Sequence, residues 1–227
     1  MNIYLVRTPQ SCIDVGGNIK RGCIAQNVCL TSVGREQAGL LANVLLSEMP
    51  SGNGIIYSST YKAARDTSTI LRSKLAEYPF ILEDRIIDQS FGIFGHYNDI
   101  TIGGEKEPKF YEEWLKVLKT VGEYQARIPY GESQFDVSVR TASFISDALF
   151  NNLHENIIII SHEVPIKTIM AKLANTGPES VLCELYHLDF WEYFKLTYSI
   201  ENGLLDSNKL SIGWSSKANY ADVALTM

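Results

Sequence analysis

Ile157-Ile158-Ile159-Ile160-Ser161-His162 is the stretch on which the fold turns. Consecutive β-branched residues favour an extended chain. A strand with one wet face alternates apolar with polar residues, whereas an unbroken apolar run of this length fits a strand covered on both faces. Such a strand belongs at the centre of a sheet between helices. The polar pair Ser161-His162 then falls at its C-terminal end, where α/β sheets open their sites. Residues 2–6 (Asn-Ile-Tyr-Leu-Val) read in the same way and deliver Arg7, Thr8 and Pro9 to a loop, and residues 54–58 (Gly-Ile-Ile-Tyr-Ser) form a further buried strand.

Helical patterns lie between these runs. Thr31 supplies a hydroxyl N-cap with Glu36 following, ahead of Ala38, Leu41, Leu45 and Leu46. Ala64, Ile70, Leu71 and Leu75 predict a helix over 61–78, and further helices are expected over 108–124, 131–153 and 165–174. A strand is expected over 81–87 and late strands over 185–188 and 193–200, with Asn202-Gly203 as a turn. Residues 11–27 are polar and aperiodic, with Gly16, Gly17 and Gly22, and read as a loop able to fold over a site. Strands alternating with helices imply an α/β chain: a three-layer α/β/α sandwich around a mostly parallel sheet. A single domain over 1–227 is expected, with a helical insertion at about 97–124.

Composition excludes several classes. The 227 residues carry 20 basic and 26 acidic side chains, a net charge of −6, without a basic run, so no nucleic acid partner is expected. No apolar stretch approaches the roughly 20 residues of a membrane span, and the start has no basic segment followed by a long apolar one. No membrane association and a cytoplasmic location are therefore expected. Cys12, Cys23, Cys29 and Cys183 are read as thiols, because a chain of this size needs no staple. None stands in the Cys-x2-Cys spacing of a zinc site, and His96, His154 and His187 have no mutual metal spacing, so no metal and no cofactor is expected. Gly103-Gly104 neither follows a strand nor opens a helix and is a loop. Glu112-Glu113 reads as a solvated helix face, and Phe110 with Trp114 as packing.

Six segments carry a further message through their order. They are Leu5-Val6-Arg7-Thr8-Pro9-Gln10-Ser11; Leu30-Thr31-x-x-Gly34-x-x-Gln37-Ala38; the stretch from Ser58-Ser59 to Thr67; Asp88-Gln-Ser-Phe-Gly92; and Pro129-x-Gly131-Glu132-Ser133 with Asp136 and Arg140. Ile160-Ser161-His162 closes the series. Together they resemble the histidine phosphatase and phosphoglycerate mutase superfamily over most of the chain, and the resemblance implies a phosphoglycerate mutase-like fold. It also implies a chemistry. A histidine at the end of the first strand attacks phosphorus, arginines and a second histidine hold the phosphoryl oxygens, and a carboxylic acid protonates the leaving oxygen.

By that resemblance Arg7 and His162 are the retained ligand-binding groups, Ser11 and Arg21 lie in the loop that meets phosphate, and Asp88 stands at the proton donor, one methylene shorter than the usual glutamate. Thr8 stands where the nucleophilic histidine is expected. A hydroxyl without an adjacent base is a poor nucleophile, and its phosphoester lacks the labile P–N bond. Pro9 replaces a glycine and removes an N–H donor. The strand-two arginine aligns in two ways: with Ser59 as the motif serine it becomes Ala63, and with Ser58 it becomes Lys62. Arg65 falls on another face of that helix. Glu163 follows His162 where glycine is usual and would repel a phosphate dianion unless turned away.

The pattern implies a divergent relative, inactive as a phosphatase or mutase, whose remodelled pocket takes a phosphorylated or other anionic small molecule, or which serves a protein partner. A homodimer is compatible with it. Two alternatives stay open: altered chemistry on an anionic substrate using His162 with Asp88 or Glu163, and an active phosphatase.

Overall fold

A computed structural model describes residues 1–15, 25–49, 53–92, 101–102, 105–106, 109–150, 154–174, 189–201 and 204–214. Its elements run β1 (Asn2–Arg7), α1 (Ser32–Glu48), β2 (Gly54–Ser59), α2 (Lys62–Arg72), β3 (Phe80–Glu83), β4 (Thr101–Ile102), β5 (Glu105–Lys106), α3 (Lys109–Val121), α4 (Gln134–Phe150), β6 (Asn156–Ser161), α5 (Glu163–Leu173), β7 (Tyr193–Glu201) and β8 (Leu204–Trp214). Short 3-10 turns occupy Ala25–Asn27 and Asp84–Ile86. Six strands form one sheet in the order β3-β2-β6-β1-β7-β8, and β4-β5 make a separate ladder. The β3-β2, β2-β6 and β6-β1 pairings are parallel, and only β7 runs against its neighbours.

The isoleucine run shows why this order forms. β6 is buried along its whole length between β2 and β1. Successive side chains leave opposite faces of a strand. Ile157 and Ile159 accordingly join Ile3, Leu5, Phe144, Ile166 and Ile169 beneath α4 and α5, while Ile158 and Ile160 join Tyr4, Val6, Leu41, Leu45 and Leu71 beneath α1 and α2. Each fully buried isoleucine contributes about 1.5–3 kcal/mol, so this one strand is a main source of the fold's stability. The expected three-layer α/β/α sandwich is what the chain adopts.

Local differences have local causes. α2 ends at Arg72 rather than near residue 78; Leu75 and Tyr78 remain buried in the turns that follow, which prolongs the apolar spacing beyond the helix. The third strand is confined to Phe80–Glu83, and its expected last residues form the 3-10 turn that buries Ile86. α4 begins at Gln134 because Ser133 and Asp136 cap each other: Ser133 N donates to Asp136 Oδ2 at 2.8 Å and Asp136 N to Ser133 Oγ at 3.1 Å. Glu36 closes no such box in α1, since Thr31 Oγ1 accepts from Gly34 N and that third position is glycine. β8 was not expected, and the proposed strand at 185–188 and turn at Asn202-Gly203 lie outside the described residues. Among the described residues no helix is long and apolar enough to cross a membrane.

Candidate functional site

Strand register assembles the site. β1 and β6 pair in parallel with Arg7 beside Ser161, so Arg7-Thr8 and His162-Glu163 emerge side by side, and Thr8 N is held by Ser161 O at 3.0 Å. β2 flanks β6 on its other edge and brings Ser59 and Tyr61 to the same end. A cavity of about 210 Å³ opens there, lined by Arg7, Thr8, Ser11, Asp14, Tyr61, Ala63, Asp88, His162, Glu163 and Phe190, with Ile13, Val28, Phe91 and Val164 as apolar wall.

The loop after β1 is positioned by α1. Gln10 O accepts from Thr31 N at 3.1 Å, Gln10 N donates to Gln37 Oε1 at 3.0 Å, and Thr31 Oγ1 donates to Gln10 Oε1 at 2.9 Å. Gly34 lets the two backbones meet, because a Cβ there would lie 2.0 Å from Gln10 O. The motif Thr31-x-x-Gly34-x-x-Gln37 thus fixes where Arg7, Thr8 and Pro9 sit. Beyond it, Asp14 Oδ2 accepts from both Ser11 N at 2.7 Å and Ser11 Oγ at 2.6 Å.

Arg7 pairs with Glu163: Nη2 to Oε2 is 3.0 Å, and Glu163 Oε1 accepts from Lys167 Nζ at 2.7 Å. The guanidinium lies 4.7 Å from the Phe190 ring centroid, a stacking contact that orients its plane. Glu163 also stands in the first turn of α5, where backbone N–H groups and the helix dipole favour negative charge. Arginine and helix N-terminus together would hold an anion, and Glu163 offers them one from within the chain.

His162 precedes α5 and faces Ser59, whose Oγ is 3.1 Å from Nε2 and accepts from Tyr61 N at 3.2 Å. The Ser59 hydroxyl can donate to Nε2 of a neutral ring or, in the other tautomer, accept from it. Burial holds the imidazole below the usual histidine range; Asp88 opposes this, and the positive fields of Arg140 and Arg7 reinforce it. Tyr61 packs edge-on against the ring at 5.4 Å, and burial followed by the Asp88 charge pushes its phenol up. These surroundings favour the uncharged imidazole. Thr8 is nearly buried, and among the described residues no base hydrogen-bonds its hydroxyl.

Of the residues singled out in the sequence, Arg7, Thr8, Ser11, Asp88, His162 and Glu163 meet at the cavity. Lys62 does not. Its ammonium turns to Asp66 at 2.8 Å, while Ala63 lines the cavity and Ser59 contacts His162, a placement that matches the alignment with Ser59 as the motif serine. Arg21 lies outside the described residues. Glu163 does not turn away from the cavity. Asp14, Tyr61 and Phe190 were not foreseen, since their membership depends on loop paths rather than on any local spacing.

A family model for the histidine phosphatase superfamily (branch 1) matches residues 3–198. The chain belongs to that superfamily. No curated protein gives a sequence match. Several solved structures share the fold. A protein of Escherichia coli assigned as an alpha-ribazole-5'-P phosphatase superposes with a TM-score of 0.73 at 19% identity, over 95% of this chain and 96% of its own. The alpha-ribazole phosphatase of Shigella flexneri gives 0.69 at 20% identity, over 90% and 93%. A mycobacterial glucosyl-3-phosphoglycerate phosphatase, solved with VO3, gives 0.70 at 18% identity, over 95% and 99%.

Within this histidine phosphatase fold, the motif Gly131-Glu132-Ser133 with Arg140 acts behind the cavity. Arg140 Nε and Nη2 grip Glu132 at 2.9 and 3.0 Å. Its remaining donors reach the carbonyls of Arg85, Ile87 and Asp88 at 2.7, 2.8 and 3.1 Å. Gly92, at φ +50°, packs against this segment where a Cβ would lie 2.1 Å from Pro129 O. The clamp fixes the backbone that carries Asp88. Its motif match was visible in the sequence; its role needed the tertiary contacts.

Proposed function

We propose that this superfamily member does not form a phosphohistidine, and that its cavity is a binding site for an anionic small molecule, a phosphorylated one included, which displaces Glu163 from Arg7. The observation that carries the reading is the end of β1. Thr8, whose hydroxyl is hydrogen-bonded to no base among the described residues, occupies the position that the family motif gives to the nucleophile, and the adjacent Arg7 is paired with Glu163. Ala63 in place of the second arginine removes a further bidentate grip.

Charge narrows the ligand. Asp14, Asp88 and Glu163 line the cavity with Arg7, so a compact dianion meets repulsion that one guanidinium does not offset. A molecule with a single anionic group at Arg7 and hydroxyl or ammonium donors toward Asp88 fits better. A second reading rests on one observation: His162 is held neutral with Asp88 across the cavity, the pairing an acid–base reaction on such a ligand would use.

The test combines calorimetric titration with orthophosphate, tungstate and sugar phosphates with a screen for phosphate release. Saturable binding in the parent, tighter for sugar phosphates than for orthophosphate or tungstate and abolished by Arg7→Ala, with no release, is expected. Equal responses from parent and Arg7→Ala would remove the cavity reading. Release abolished by His162→Ala would make the chain a working enzyme.

A further inference from the structure

The loop leaving β1 returns to the sheet through a short antiparallel contact. Ser11 pairs with Leu30, and Cys12 N donates to Cys29 O at 2.9 Å. That register sets Cys12 opposite Cys29, with their sulfurs 3.2 Å apart. Both are reduced and partly exposed. Directly opposed residues in antiparallel pairing have Cα atoms about 4.5–5.5 Å apart. This lies inside the range of about 4.4–6.8 Å that a disulfide spans, so the bond can form without moving the backbone. The two arms also border the cavity: Ser11, Ile13 and Asp14 line it from one side and Val28 from the other. Among the described residues no third ligand turns the pair into a metal site.

We propose that Cys12 and Cys29 are a reversible disulfide site that staples the mouth of the cavity. The oxidant is a low-molecular-weight disulfide of the glutathione class. One cysteine thiolate attacks a sulfur of the small disulfide, its S–S bond breaks, and one small thiolate leaves. The second cysteine thiolate then attacks the protein sulfur of the mixed disulfide and expels the other small thiolate. Two protein thiols thereby give up two protons and two electrons, and the small disulfide becomes two thiols; excess small thiol reverses both steps. The new bond closes the chain from Cys12 to Cys29 and holds both arms at their present separation.

The test equilibrates the full chain across a series of oxidised-to-reduced glutathione ratios. Remaining thiols are alkylated and the cysteine peptides mapped by mass. The expected product is a Cys12–Cys29 linked peptide two hydrogens lighter than the sum of its parts, restored to two alkylated peptides by excess thiol. The oxidised parent should melt about 5–10 °C above the reduced one, a difference absent from Cys12→Ser and Cys29→Ser. Alkylation of both cysteines throughout the series would overturn the proposal. So would a stable glutathione adduct on either, or pairing of Cys12 with Cys23 or Cys183. Peptide mapping of the parent needs no variant to fold, and the bond between Cys12 and Cys29 does not involve Arg7 or Glu163, so its failure leaves the proposed ligand site untouched.

Discussion

Two arginine–glutamate pairs bracket His162, and they differ in almost every respect except composition. Arg140 spends all five of its N–H donors, two on Glu132 and three on the carbonyls of Arg85, Ile87 and Asp88. Arg7 meets Glu163 on the cavity wall, and Glu163 divides itself between Arg7 and Lys167. The first pair is eight residues apart and fastens the backbone of residues 85–88 to α4. The second lies where an incoming anion would compete for the same guanidinium. A charge pair fastened to carbonyls is a structural clamp, whereas one facing a cavity is exchangeable; His162 feels the field of both arginines.

The largest effect should come from breaking the clamp. Arg140→Ala strands the Glu132 carboxylate and three carbonyls, and is expected to cost about 3 kcal/mol in urea unfolding, a fall in Tm of roughly 6–12 °C. Arg140→Lys should recover little, because an ammonium cannot reproduce the planar fork. Arg7→Ala should cost less, about 1.5 kcal/mol, because this part-buried pair leaves Glu163 still partnered by Lys167. Equal losses at the two sites would erase the distinction.

Neutralising the cavity pair sharpens it. Glu163→Gln leaves Arg7, Lys167 and the start of α5 without their internal anion, and orthophosphate should bind about tenfold more tightly, or about 1.4 kcal/mol, by calorimetry at low ionic strength. The gain should shrink as salt is added. An unchanged affinity would mean that Glu163 does not compete for Arg7.

The charge state of His162 is the next test, and its sign is set by burial. A histidine whose folded pKa is depressed is neutral in both states above about pH 6.5, so it contributes no pH dependence there. Below that, the unfolded chain takes up a proton that the folded one resists, and stability falls until the folded pKa is reached. Between pH 7.5 and 5.5 the parent should lose more stability than His162→Asn, measured by urea midpoints. A bound anion should pull the imidazole up and reduce that loss. A larger loss in the variant would show that His162 is not held neutral.

How far this end of the molecule can be read in advance depends on whether the cause is local. Ile157–Ile160 announces a central strand because burial on both faces leaves its mark on every residue. Thr31, Gly34 and Gln37 are recognisable as a motif although their common purpose, gripping Gln10, lies across a loop. β8 escapes notice because Leu204–Trp214 mixes Asp, Ser, Asn and Lys into the run, as a strand at the edge of a sheet tolerates. The pairing of Arg7 with Glu163 is invisible for a different reason. The residues are 156 positions apart by number, and only the parallel register of β1 on β6 makes them neighbours. Cys12 and Cys29 meet in the same way, through the returning arm of a loop.

The smallest expected effect concerns the residue on which spacing was ambiguous. Lys62 opens α2 and its ammonium lies on Asp66 one turn later, a half-exposed pair of the kind that contributes about 0.3–0.5 kcal/mol. Lys62→Ala should cost about that much and leave orthophosphate affinity unchanged, because the side chain facing the cavity from this helix start is that of Ala63. A substantial drop in affinity would place the lysine in the ligand set after all, and would require the helix to present residue 62 where residue 63 now stands. Charge near the cavity would then be set by helix register rather than by Glu163, and the exchangeable pair would lose its place as the main control of anion binding.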